Sequence, residues 1–202
     1  MEIIQNADDN TYNDDQKPTI VIKIFPKHVI IECNEQGFSK ENVEALCSVG
    51  CSSKAAGQGY IGEKGIGFKS VFKLANRAHI RSHPYYFQLD QRRDLGMITP
   101  RWDKEFFGQY PSQSQTTIIL DDICDPSTDF SQALEDELKV FGPILILFLR
   151  RIERFDLILF ASNVDKPIMS RRYENHKKNH RSGIVSIRDE DAKENHHWYK
   201  HC

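Results

Sequence analysis

Tyr60-Ile-Gly-Glu-Lys-Gly-Ile-Gly-Phe-Lys-Ser-Val-Phe72 closes a stretch, Gly50 to Gly67, that holds six of the chain's eleven glycines. Glycine lets a backbone approach a ligand closely and take φ > 0 without a steric penalty. After the glycines, Phe68, Val71, Phe72 and Ala75 recur at helical spacing, which predicts a helix over 68–76. A glycine loop that feeds a helix N-terminus is a ready anion site, because unpaired N–H groups and the helix dipole both favour negative charge. The stretch therefore points to a phosphate-bearing ligand.

Three templates compete for this loop. Gly57-Gln-Gly-Tyr-Ile-Gly62 matches G-x-G-x-x-G, but Val49–Ala56 before it is not strand-like. Ile80–His83, about 20 positions on, also lacks the acidic residue that a dinucleotide site needs. Gly62 to Ser70 nearly spells a phosphate loop, but Phe68 stands where the lysine belongs. The third template, Gly62-x-x-Gly65-x-Gly67, needs partners elsewhere, and two are present in order. In Glu2-Ile-Ile-Gln-Asn-Ala-Asp-Asp-Asn10, the residues Glu2, Asn6 and Asp9 share one helical face, with Ile3, Ile4 and Ala7 largely on the other. An amide oxygen is a hard ligand suited to Mg²⁺, and a carboxylate one turn away can orient or deprotonate a water. The strand-like Val29–Cys33 then runs into Asn34-Glu-Gln-Gly-Phe38, which puts a polar pair and a glycine at a strand end.

These blocks, with Ala45-Leu-Cys-Ser-Val-Gly-Cys-Ser-Ser-Lys54, resemble the GHKL ATP-binding family, or Bergerat fold. That family includes the large heat-shock chaperone, type II topoisomerases, mismatch-repair ATPases and sensor histidine kinases. The wording is most similar to the branch of sacsin and the plant NO VEIN type, over roughly residues 1–160. The resemblance implies a two-layer α/β (α+β) sandwich, with a mixed, mostly antiparallel sheet and helices on one face. It implies Glu2 as the water-activating carboxylate, Asn6 as the magnesium ligand, and Asp9 holding water or ligand one turn on. Gly62, Gly65, Ile66 and Gly67 would form the phosphate loop with Phe68 beneath it, and residues 46–62 the lid. Thr116 resembles the threonine that helps bind adenine through a water. The family's D-x-G-x-G aspartate is replaced by Asn34-Glu35-Gln36-Gly37, so either Asn34 or Glu35 reads the base, beside Gly37. The implied ligands are ATP and Mg²⁺. The implied activity is slow ATP hydrolysis or a nucleotide-driven conformational switch. The alternative is a non-hydrolysing nucleotide-binding module or interaction scaffold.

The chain has 202 residues and a net charge of −2, ordinary for one globular unit and without a global basic field. The expected division is an ATP-binding domain over 1–165 and a basic, His-rich tail or domain fragment over 166–202. Residues 166–202 hold 9 Lys/Arg against 5 Asp/Glu and five of the eight histidines. Ile184–Ile187 is the one strand-like piece expected there, and His176-x-x-x-His180 would have metal-ligand spacing on a helix. The core is not expected to contact nucleic acid; weak contact is left to the tail. The sequence indicates no particular protein partner. Five cysteines without a Cys-x-x-Cys favour reduced thiols and an intracellular place, nucleus or cytoplasm. The longest apolar run, Ile144–Leu149, is too short to span a bilayer. Met1 directly precedes Glu2, so the first helix is expected to extend further upstream and the domain to be N-terminally truncated.

Overall fold

The computed structural model describes residues 2–48, 67–110, 112–124, 136, 146, 148–161, 166–179, 182–189 and 195–201. Helix α1 (Glu2–Asp9) leads into a hairpin of β1 (Thr19–Ile24) and β2 (His28–Cys33), then α2 (Lys40–Cys47). A short 3-10 helix (Phe68–Lys73) precedes β3 (Ala75–Ser82), β4 (Tyr85–Asp90) and the two-residue β5 (Arg101–Trp102). A second 3-10 helix (Phe106–Gln109), β6 (Thr116–Ile123) and β7 (Arg154–Leu159) follow. The described chain ends in β8 (Met169–Asn179), β9 (Ser182–Asp189) and β10 (Asn195–His201).

The ten described strands form one mixed sheet, in the order β10-β9-β8-β7-β1-β2-β6-β3-β4-β5. Only β1 and β7 pair in parallel; the other described neighbours are antiparallel. The fold is thus α+β with a mixed, mostly antiparallel sheet, as expected. Alternation builds its core. Ile20, Ile22 and Ile24 point to one face of β1, and the register sets them beside Cys33, Ile31 and Val29 of β2. Thr116, Ile118 and Leu120 continue these rows on β6, and Phe155, Leu157 and Leu159 continue them on β7. Ile4 and Ala7 of α1, Leu46 of α2, and Phe68, Val71 and Phe72 close over the same face in one buried cluster. Fully burying each such aliphatic side chain stabilises by roughly 1.5–3 kcal/mol. On the opposite face Ile30 and Ile119 pack under Phe107 of the second 3-10 helix. With both faces covered, β2 reads as the near-continuous apolar run Val29-Ile-Ile rather than an alternation.

Local sequence signals fix the first elements. The Pro26-Lys27 turn closes the first hairpin through the Phe25 N–H to the His28 carbonyl at 2.9 Å. Ser39 caps α2 and Asn42 completes a reciprocal capping box. Some expectations need correction. The predicted helix 68–76 is a 3-10 turn ending at Lys73, because pairing with β6 takes over from Ala75 (opposite Ile123) and buries it in β3. Asn76 and Arg77 lie inside that strand. β8, β9 and β10 stand where one short strand-like piece is expected; polar sequence hides them, and antiparallel pairing along β7 supports them. His176 therefore sits on a strand, so the helical metal-ligand spacing does not arise. Most of residues 130–141 lies outside the described residues, although Asp136 is helical. Among the described residues no helix is long and apolar enough to cross a membrane.

One buried carboxylate locks α1 to the sheet. Asp8 accepts the backbone N–H groups of Arg150 at 2.8 Å, Arg151 at 2.7 Å and Ile152 at 2.9 Å, just ahead of β7. Asp8→Ala leaves three inward-facing amides without this acceptor and should cost about 3 kcal/mol. Asp8→Asn, which keeps one carbonyl oxygen, should lose less. Urea unfolding of the two variants checks the order.

Candidate functional site

The main cleft lies between α1, α2 and the β1–β2–β6 face of the sheet, and encloses about 690 Å³ of empty space that includes open solvent. Its walls are largely apolar: Ile20, Ile31 and Ile118 from the sheet, Ile3 and Ala7 from α1, and Phe38, Leu46 and Phe68. Its polar groups are few: Asn6, Asn10, Cys33, Glu35, Asn42 and Thr116. Apolar walls with a handful of placed polar groups suit a small-molecule ligand.

The structure brings Asn6, Glu35, Phe68 and Thr116 together at this cleft, from positions far apart in the sequence. It separates Asn34 from Glu35. The Asn34 amide turns back to β1, accepting the Thr19 N–H at 2.7 Å and donating to the Lys17 carbonyl at 2.9 Å. Glu35 turns inward and is 2% exposed. Thr116 Oγ1 donates to its Oε1 at 2.7 Å, and Asn10 Nδ2 donates to its Oε2 at 2.5 Å. Gly37 lies beside this group with φ +97°, which a side-chain-bearing residue rarely adopts. Asp9 is not among the cleft-lining residues; its carboxylate accepts from the Arg150 guanidinium.

Glu2 does not line the cleft either, but it meets the end of the glycine loop. A Cβ built at Gly67 would fall 2.5 Å from Glu2 Cδ. Gly67 has φ −60°, an ordinary helical value, so a side chain here would meet the Glu2 carboxylate and no backbone strain. Gly62, Gly65, Ile66 and most of the 46–62 lid lie outside the described residues. Lys69 donates to the Leu46 and Ser48 carbonyls at 3.1 and 2.8 Å, at the C-terminal end of α2. Burial lowers the pKa of its ammonium.

Asn10, Cys33 and Ser82 were missed by the sequence reading. Asn10 stands four residues beyond Asn6 and eight beyond Glu2, so i,i+4 spacing carried one step further would have found it. Ile3 and Ala7, assigned from the sequence to the far side of the helix, also wall the cleft. Cys33 and Ser82 carry no local signal; register alone sets them beside Thr116. Tyr12 donates its hydroxyl proton to the Ala7 carbonyl at 2.8 Å, so the Cys33 thiol donates to the Tyr12 oxygen at 3.0 Å. Burial, reinforced by nearby Glu35, pushes the Cys33 thiol up to about 12. Among the described residues no group of three His, Cys, Asp or Glu is placed to hold a metal ion.

The chain is 43% identical to Protein NO VEIN of Arabidopsis thaliana over 101 residues, covering 50% of this chain and 4% of that protein. The similarity supports the NO VEIN branch. No family model matches the chain.

Cys33 should be inert in the folded protein. With its thiol near 12, about one molecule in ten thousand is thiolate at pH 8. Iodoacetamide at that pH should modify exposed Cys124 at least about tenfold faster than Cys33. The difference should vanish in urea, as read by peptide mass spectrometry.

Proposed function

We propose that the chain is a magnesium-dependent adenine-nucleotide-binding domain of the GHKL type within a NO VEIN-like protein, with ATP as its ligand. The observation that carries this reading is the meeting of Asn6 on α1 with the Glu35–Thr116 pair in one cleft under Phe68. In this reading the base enters between Ile31, Ile118, Ala7 and Leu46, and its amino edge faces Glu35 and Thr116. The phosphates extend toward Asn6. Asn6 would offer a bound Mg²⁺ an amide oxygen, and the ion would supply charge neutralisation for the phosphates. The nucleotide-binding unit falls within 1–165, and the strands of 166–202 extend its sheet.

Hydrolysis depends on Glu2. Its carboxylate would hold a water for attack on the terminal phosphate, so it acts mainly on the transition state. A second reading, binding without hydrolysis, draws on the Glu2 position: this carboxylate packs on Gly67 and does not line the cleft. The two readings share the ligand and differ in turnover.

Calorimetry with ATP, with and without Mg²⁺, should show binding that strengthens with the metal. Asn6→Ala should remove most of the magnesium dependence. Glu2→Ala should retain affinity and abolish any phosphate release. Absence of heat from folded protein under both conditions argues against nucleotide binding altogether. Phosphate release that survives Glu2→Ala removes this carboxylate as the base.

Gly67 offers a separate check. Gly67→Ala puts a methyl where Glu2 now lies and should slow any phosphate release at least about tenfold, because small misplacements of a catalytic group are costly. Nucleotide affinity should change much less. Single-turnover assays beside equilibrium titration separate the two effects.

A further inference from the structure

Helix α2 lacks the features that commonly finish a helix. A last turn leaves carbonyls with no partner inside the helix, and with them a partial negative charge. A residue in the left-handed conformation, or a basic side chain in that turn, commonly meets them. Here Ser48, at the end of α2, is extended, with φ −81° and ψ 152°, and the last turn holds no basic residue. Ser48 Oγ reaches back to one carbonyl, donating to Ala45 at 3.0 Å. The Lys69 ammonium, 21 positions beyond Ser48, donates to the Leu46 carbonyl at 3.1 Å and to the Ser48 carbonyl at 2.8 Å. The first 3-10 helix thus supplies the charge and the donors that α2 lacks.

That support matters because α2 is weakly held elsewhere. Eight residues are too few for a helix to persist alone in water. Leu46 is its one buried residue, and partly buried Val43 packs on the same cluster. The capping box of Ser39 and Asn42 fixes the start of the helix and not its end. Yet Asn42, Ala45 and Leu46 all line the cleft. A lysine just past a glycine loop invites reading as a phosphate contact. Its geometry points elsewhere, since two of the three ammonium protons go to α2 carbonyls.

We propose that Lys69 is a positioning residue: it anchors the C-terminal end of α2 to the first 3-10 helix and so sets where Asn42, Ala45 and Leu46 stand in the cleft wall. The inference rests on the nucleotide reading above for its ligand, and adds which residue holds this wall in place. Lys69 acts through α2 and need not touch the ligand. Its loss should therefore fall on the part of the ligand that packs against Leu46, whatever charge the rest carries.

The test compares the full-length parent with Lys69→Met, which keeps an apolar stem without donors, and with Lys69→Arg, which keeps both charge and donors. Hydrogen exchange reads α2 directly. Lys69→Met should speed exchange at the amides of residues 44–47 at least about tenfold and leave α1 at the parental rate. Lys69→Arg should return α2 to within about threefold of the parent. Calorimetry with ATP and Mg²⁺, and separately with adenosine, reads the cleft. Lys69→Met should weaken both ligands by the same factor, at least about threefold, and Lys69→Arg should recover both. Should Lys69→Met fail to melt cooperatively, Lys69→Gln, with one amide donor side and no charge, carries the same expectation. Loss of ATP affinity with adenosine unchanged marks a phosphate contact and overturns the inference. So does unchanged exchange in α2, or a lower melting temperature with both affinities intact; in these cases nucleotide binding itself still stands. Parent protein that binds neither ligand overturns the nucleotide reading, and exchange in α2 then decides by itself whether Lys69 holds the wall.

Discussion

Cys33, Thr116 and Ser82 stand side by side across β2, β6 and β3, and the cleft depends on that register. Side chains alternate faces along a strand, so slipping β6 by one residue against either neighbour would send Thr116 to the opposite face. Glu35 would then lose its hydroxyl donor, and Ser82 its acceptor. The apolar rows lower on the same strands specify the register. Ile31 faces Ile118, and Ile80 faces Ile118 from the other side. A slip would turn these side chains away from the cluster they share with α1 and the first 3-10 helix. Hydrophobic burial in the lower sheet thus holds a polar arrangement at its end that could not hold itself.

The helix that contributes Asn6 depends on a second long-range contact. An eight-residue helix is too short to persist alone in water. Ile4 and Ala7 bury one side of it, and Asp8 ties its C-terminal end to three amides ahead of β7. Arg150 and Arg151 reinforce the junction by reaching Asp9 and the Asn10 carbonyl. Of the adjacent aspartates, Asp8 is structural and Asp9 is engaged with Arg150, which leaves Asn6 and Asn10 toward the cleft. The polar face of this helix is divided between support and site.

The far face has its own bracing. The buried His79 ring stacks on Phe106 with centroids 3.5 Å apart and meets Asp103 at 2.5 Å. These contacts fasten the second 3-10 helix over Ile30 and Ile119, so β2 and β6 are enclosed on both sides. A strand buried on both faces has little freedom to shift, which suits strands whose ends carry Glu35 and Thr116.

Much of this was legible in the sequence. Alternation in Thr19–Ile24 and the turn at Pro26-Lys27 determined the first hairpin, and Ser39 with Asn42 determined the start of α2. The Asn6 spacing and the Asn34-Glu35 pair marked the residues to examine, because both signals are local and recur with a known period. Tertiary structure decided the rest. Which of Asn34 and Glu35 turns inward follows from partners on Lys17, Thr19, Asn10 and Thr116. The roles of Asn10 and Ser82 exist only through register and helix placement. The place of Gly67 follows from a carboxylate 65 positions earlier in the chain. The strands of 169–201 come from the open flank of β7, which a polar sequence can pair with by backbone alone. Sequence period records which side of an element is buried; which groups meet across that side depends on contacts between segments that no local pattern contains.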